Sequence, residues 1–175
     1  VLVQSDVHDR FVAGLRAAVA EFYGKDPSQS ADYGRIVNAR HHARLTALLD
    51  AGGYEAVAVG GSHDVGDRYI APTVLTGVKP DAAVMDEEIF GPILPVLTYD
   101  DLDEAIAFVN DRPKPLALYV FANRDAAVEK VIDHTSAGGV TVNHTLLHLA
   151  VTDLPFGGVG ASGMGAYHGE AGFKI

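Results

Sequence analysis

The sequence predicts an α/β fold, a mostly parallel sheet with flanking helices, and three observations lead there. Short runs rich in Val, Ile and Thr alternate along the chain with apolar residues at helical spacing. Gly or Pro punctuates most changes of pattern. A length of 175 residues, 48% hydrophobic and 21% charged, suits one globular domain, residues 1–175, whose core needs no disulfide or metal to hold it.

The elements follow in order. Val1 to Val3 is a short apolar run, and Val7, Phe11, Leu15, Val19 and Phe22 then mark a helix with Ser5 as its expected cap and Gly24 as its stop. Lys25 to Ala31 connects to a second helix bearing Ile36, Val37, Leu45, Leu48 and Leu49, closed by Gly52-Gly53. Ala56 to Val59 is a strand, Gly60 to Asp67 a turn-rich loop, and Tyr69 to Leu75 another strand that tolerates Pro72 at an edge. After the acidic Asp86-Glu87-Glu88 comes the apolar strand Ile93 to Leu97. Leu102, Ala105, Ile106 and Val109 predict a helix, and Leu116 to Phe121 reads as a buried strand. A helix with Val128, Val131 and Ile132 and a strand Val140 to Asn143 complete the alternation. Beyond Asn143 the chain is too glycine-rich for regular structure and too apolar for a disordered linker, which predicts an ordered, convoluted loop.

Composition excludes several functions. The net charge of −10 and the absence of a basic cluster argue against nucleic-acid binding. No apolar run approaches the ~18 residues of a membrane span, so a cytoplasmic protein is expected. With no cysteine, the chain supplies neither a disulfide, a Cys-based metal or cluster site, nor a cysteine nucleophile.

Most short motifs are weak. Gly158 to Gly163 matches G-x-G-x-x-G, but no strand precedes it and too few residues follow for a dinucleotide-binding unit. His144 and His148 stand four apart, yet Thr145 occupies the place where a zinc protease needs Glu, and no metal site is expected. His41-His42, with Arg40 and Arg44, reads as surface polarity on a helix. Ser162 lies in no nucleophile elbow. Asp86-Glu87-Glu88-Ile89-Phe90-Gly91-Pro92 is more pointed. A carboxylate two residues from an aromatic, before a Gly-Pro turn, suits hydrogen bonding to a sugar diol with the ring packed on a planar base.

Taken together, Asp32 to Asn38, Arg68 to Thr73, Glu87 to Pro92, Pro115 to Phe121, Ser136 to Val140, Leu154 to Gly160 and Ser162 to Gly169 resemble the aldehyde dehydrogenase family, in the branch of the class-three, fatty-aldehyde and coniferyl-aldehyde enzymes. The resemblance spans nearly the whole chain. It implies a catalytic domain of α/β fold, oxidation of an aliphatic or aromatic aldehyde to a carboxylate, NAD or NADP as cofactor, and a homodimer. In that chemistry a cysteine thiolate adds to the carbonyl, hydride passes to the nicotinamide, and a glutamate-activated water hydrolyses the thioester.

Position by position, the resemblance implies that Glu88 holds the nicotinamide ribose and that Phe90 packs near the nicotinamide. It places Leu146, Leu149, Ala150 and Phe156 along the aldehyde tunnel, with His168 nearby. Asn143-His144 departs from the family's Asn-Asp. No residue matches the nucleophile, the oxyanion Asn, the general-base Glu or the phosphate-binding residues, so no catalytic residue is expected here. The expectation is therefore an incomplete catalytic domain, inactive alone, whose cofactor domain, cysteine segment and C-terminal arm lie elsewhere. The alternative is a stand-alone, non-catalytic protein that keeps the fold for binding or assembly.

Overall fold

Helices and strands form close to where hydrophobic spacing places them, and the departures arise where a local hydrogen bond or a proline intervenes. The computed structural model describes residues 1–174 and separates into two compact units, Val1–Asp100 and the residues from Asp101 onward.

In the first unit β1 (Leu2–Gln4) leads through a 3-10 turn, Ser5–Val7, into α1 (His8–Tyr23). Ser5 does not cap this helix. Its hydroxyl donates to the Tyr99 carbonyl at 3.2 Å, and Val7 stands at the cap position without a side-chain bond. Gly24, at φ +77°, ends the helix as expected. α2 (Ala39–Asp50) starts later than its apolar pattern suggests, because Asn38 accepts the His41 amide at 2.9 Å and fixes the start there. Ile36 and Val37 thus precede the helix, and Val37 is exposed.

The strands β2 (Ala56–Val59), β3 (His63–Asp64), β4 (Tyr69–Ile70), β5 (Thr73–Thr76), β6 (Ile93–Pro95) and β7 (Leu97–Tyr99) follow. The predicted loop thus contains β3, which forms an antiparallel ladder with β4. The predicted strand Tyr69 to Leu75 breaks at Pro72, which has no N–H to give a ladder. The predicted strand Ile93 to Leu97 also divides: β6 pairs with β5, and β7 with β1, both in parallel. Val96 stands between them, wholly buried, with its amide on the Leu75 carbonyl at 2.8 Å. Val3, Val74 and Val96 form a core cluster against which Val7, Phe11, Leu15 and Leu94 pack.

The segment Asp32 to Asn38 is ordered by polar contacts. The Tyr33 hydroxyl donates to the Ile70 carbonyl at 2.8 Å, and its ring lies edge-on to Tyr23 and Tyr69 at 4.8 and 5.9 Å. Arg35 pairs with Asp67 at 2.7 Å and lies over the Tyr69 ring. Burial is the largest cause that pushes both the Tyr33 and Tyr69 phenols above their ordinary range.

The second unit holds α3 (Leu102–Asn110), β8 (Ala117–Val120), α4 (Asp125–His134), β9 (Gly139–Val142) and α5 (Gly169–Phe173). Asp101 caps α3 by accepting the Asp103 amide at 2.8 Å. β8 and β9 pair in parallel. Three of the five ladders among the described residues are parallel, though they form four small sheets rather than one. β8 is less buried than its apolar run predicts. Leu116 and Phe121 at its ends are exposed, because a two-stranded sheet leaves its outer edges and part of its face uncovered. The glycine-rich segment is an ordered loop, with 3-10 turns at Leu147–Ala150 and Gly160–Ser162 and a bridge between Phe156 and Tyr167.

Candidate functional site

In the first unit, the acidic residues 86–88 follow a 3-10 turn, Ala83–Met85, and lead into β6. Within this segment Phe90 adopts φ +46°, a left-handed conformation that non-glycine residues rarely take. Two contacts hold it. The Arg44 guanidinium donates to the Ile89 carbonyl at 2.5 Å, and Gly91 passes so close to Leu45 that a Cβ there would lie 2.5 Å from its Cδ2. The turn presents Glu88 and Phe90 outward, with Phe90 77% exposed. Glu87, Glu88 and Phe90 line an open hollow of about 670 Å³ with Arg40, His41 and Arg44.

This donor set fits a nucleoside. A free carboxylate accepts hydrogen bonds from a diol, an exposed ring offers a face for stacking, and nearby guanidinium groups suit negative charge. Sequence reasoning missed Arg44, naming it only as a neighbour of His41-His42 in a reading of that pair as surface polarity. The available signal was its spacing of four from Arg40, which puts both on one helix face. The same reading fails for His42, which is buried with its Nε2 donating to the Tyr69 carbonyl at 3.0 Å. Helix position accounts for this: His42 lies three residues before Leu45 and seven before Leu49, on the buried face.

The second unit places the other predicted residues. Leu146, at φ +63°, precedes the 3-10 turn that carries Leu149 and Ala150, and all three are exposed. Phe156 and His168 stack at 5.9 Å, and Tyr167 meets both rings edge-on. His168 has φ +82°, and its buried Nδ1 has no hydrogen-bond partner among the described residues. Asn143, at φ +53°, closes the end of β9 by exchanging two side-chain bonds with the Ala122 backbone, at 2.9 and 3.1 Å.

His144 and His148 do not share a helix face. His144 is exposed and accepts the Thr145 amide, whereas His148 is buried with its Nδ1 3.0 Å from the Thr141 hydroxyl. Among the described residues, no group of three or more His, Asp or Glu is placed to hold a metal ion. Gly158 to Gly163 forms a turn closed on itself: a Cβ on Gly158 would lie 2.1 Å from the Ser162 carbonyl oxygen. Among the described residues, no helix is long and apolar enough to cross a membrane.

Comparison with known proteins gives one result. A sequence model of the aldehyde dehydrogenase family matches residues 1–174. The chain is 54% identical over 173 residues to 4,4'-diaponeurosporen-aldehyde dehydrogenase of Staphylococcus aureus, covering 99% of this chain and 38% of that protein. It is 51% identical over 174 residues to the dimeric NADP-preferring aldehyde dehydrogenase of Mus musculus, again covering 99% and 38%. A substrate-bound AldH structure from Staphylococcus aureus superimposes with a TM-score of 0.94 at 53% identity, over 99% of this chain and 38% of that one. A succinate-semialdehyde dehydrogenase from Burkholderia pseudomallei gives 0.85 at 31% identity, over 99% and 36%. The chain thus spans well under half the length of these relatives.

Proposed function

This chain belongs to the aldehyde dehydrogenase family, and from that premise we propose that it forms part of the catalytic domain of a cytoplasmic, homodimeric enzyme that oxidises aliphatic or aromatic aldehydes to carboxylates with NAD or NADP. Homodimerisation draws on the relative from Mus musculus, which is named as dimeric. The chain has no cysteine, so the thiolate that attacks the aldehyde comes from outside these 175 residues.

The observation that carries the reading is the turn at Glu88-Ile89-Phe90, clamped by Arg44 and facing the hollow. In this reading the Glu88 carboxylate accepts from the ribose diol and Phe90 packs against the nicotinamide ring. The bound dinucleotide supplies the hydride acceptor. Leu146, Leu149, Ala150 and Phe156, with His168, form an apolar wall for the aldehyde, which favours medium-chain or aromatic substrates.

The test is made in the intact enzyme bearing this segment. Glu88→Gln and Phe90→Ala should each lower kcat/KM for the coenzyme by about tenfold or more, while the melting temperature stays near that of the parent, because both side chains are exposed. Unchanged coenzyme kinetics in both variants would remove the assignment.

A further inference from the structure

The loop after β9 contains a buried imidazole to which the reading above gives no role. His148 is 6% exposed, although it sits on the same 3-10 turn as the exposed Leu149 and Ala150. Its Nδ1 lies 3.0 Å from the Thr141 hydroxyl on β9. Its ring contacts Tyr119 of β8 at 6.1 Å and Phe156 at 5.7 Å, and Phe156 in turn stacks on His168. The backbone makes room for it, since a Cβ on Gly139 would come within 2.8 Å of the His148 Cδ2. Its Nε2 is buried without a partner among the described residues.

That last fact limits what the imidazole can be doing. A buried ring nitrogen without a partner is unfavourable for stability, and an aliphatic side chain would fill the space without that cost. What an aliphatic chain lacks is a planar ring tied at one edge. The Thr141 bond fixes the plane of the His148 ring, and that plane sets the tilt at which Phe156 lies against it.

We infer that His148 is a positioning residue for the aldehyde wall. It does not touch substrate, but it anchors the turn bearing Leu149 and Ala150 to the β8–β9 sheet and aligns the Phe156 ring on the other side. The inference rests on the proposal that Leu149 and Phe156 face the aldehyde.

The experiment compares a bulky aromatic aldehyde with acetaldehyde in the intact enzyme bearing this segment. His148→Ala should raise KM for the bulky aldehyde by about five- to tenfold, with the coenzyme KM and the acetaldehyde kcat close to the parent values. Two further variants separate ring from hydrogen bond and guard against a folding defect in the alanine variant. His148→Phe keeps a ring and should stay nearer the parent than His148→Asn, which keeps a polar group near Thr141 but has no ring. Phe156→Ala and Leu149→Ala are made alongside. If these two raise the bulky-aldehyde KM while no His148 variant does, the inference is overturned and the wall stands. If Phe156→Ala and Leu149→Ala also leave it unchanged, the wall itself is refuted and the role of His148 falls with it. A His148→Asn variant that matches the parent while His148→Phe loses selectivity would equally overturn the ring as the acting part.

Discussion

Single residues show how polar groups decide what apolar spacing leaves open. The Tyr33 hydroxyl, bonded to the Ile70 carbonyl, and the Tyr69 phenol both have pKa values raised mainly by burial. The folded chain therefore keeps protons that the unfolded chain releases from about pH 10, so stability falls as pH rises above that value. Tyr33→Phe should cost about 1 kcal/mol at neutral pH through the lost hydrogen bond, and should also flatten this alkaline decline. Melting curves of both proteins between neutral and strongly alkaline pH check it; equal pH slopes would refute the role of Tyr33. Residues such as these were partly legible in the sequence. Asp32 to Asn38 stood out as a motif, but nothing in it showed that Asn38 would cap a helix or that Tyr33 would reach a carbonyl 37 positions away. Ser5 misled for the converse reason: its hydroxyl found the Tyr99 carbonyl, a partner that is remote in sequence.

For whole elements, hydrophobic periodicity located the strands and helices but not the ladders they join. No spacing in Ile93 to Tyr99 reveals that one apolar run serves two sheets, because both halves are apolar and only the pairing partners differ. The glycine-rich loop was legible as ordered, and the structure supplies the reason. A Cβ on Gly157 would lie 2.1 Å from the Gly165 carbonyl oxygen and 2.9 Å from the Ala166 Cα, so two backbone segments meet where only hydrogen fits. Gly157→Ala should push these two segments apart, break the Phe156–Tyr167 bridge and loosen the loop. Faster hydrogen exchange of the Phe156 and Tyr167 amides, each now bonded to the other's carbonyl, would register the change. Protection equal to the parent's would show that the loop absorbs the methyl group.

The whole molecule is unevenly cored. Most buried side chains lie in the first unit, whereas among the described residues from Asp101 onward only Ala105, Ile106, Val120 and His148 are buried. Leu116, Phe121, Leu146, Met164 and Phe173 leave apolar surface on the second unit exposed to water. The 175-residue chain by itself should therefore bind a hydrophobic dye and self-associate with rising concentration, and without a cysteine it should form no NADH from aldehyde and NAD. Light scattering, dye fluorescence and absorbance at the NADH band measure the three; dehydrogenase activity from the purified chain would refute the proposed source of the nucleophile. The Glu88–Phe90 turn sits just ahead of β6, and beyond it Val96 passes the chain from one ladder to another. Residues 93–99 are thus a ruler gripped at both ends. An insertion or deletion within them would turn one ladder's side chains to the opposite face. The spacing between the turn and the core is therefore set by two ladders at once, and neither can shift its register without the other.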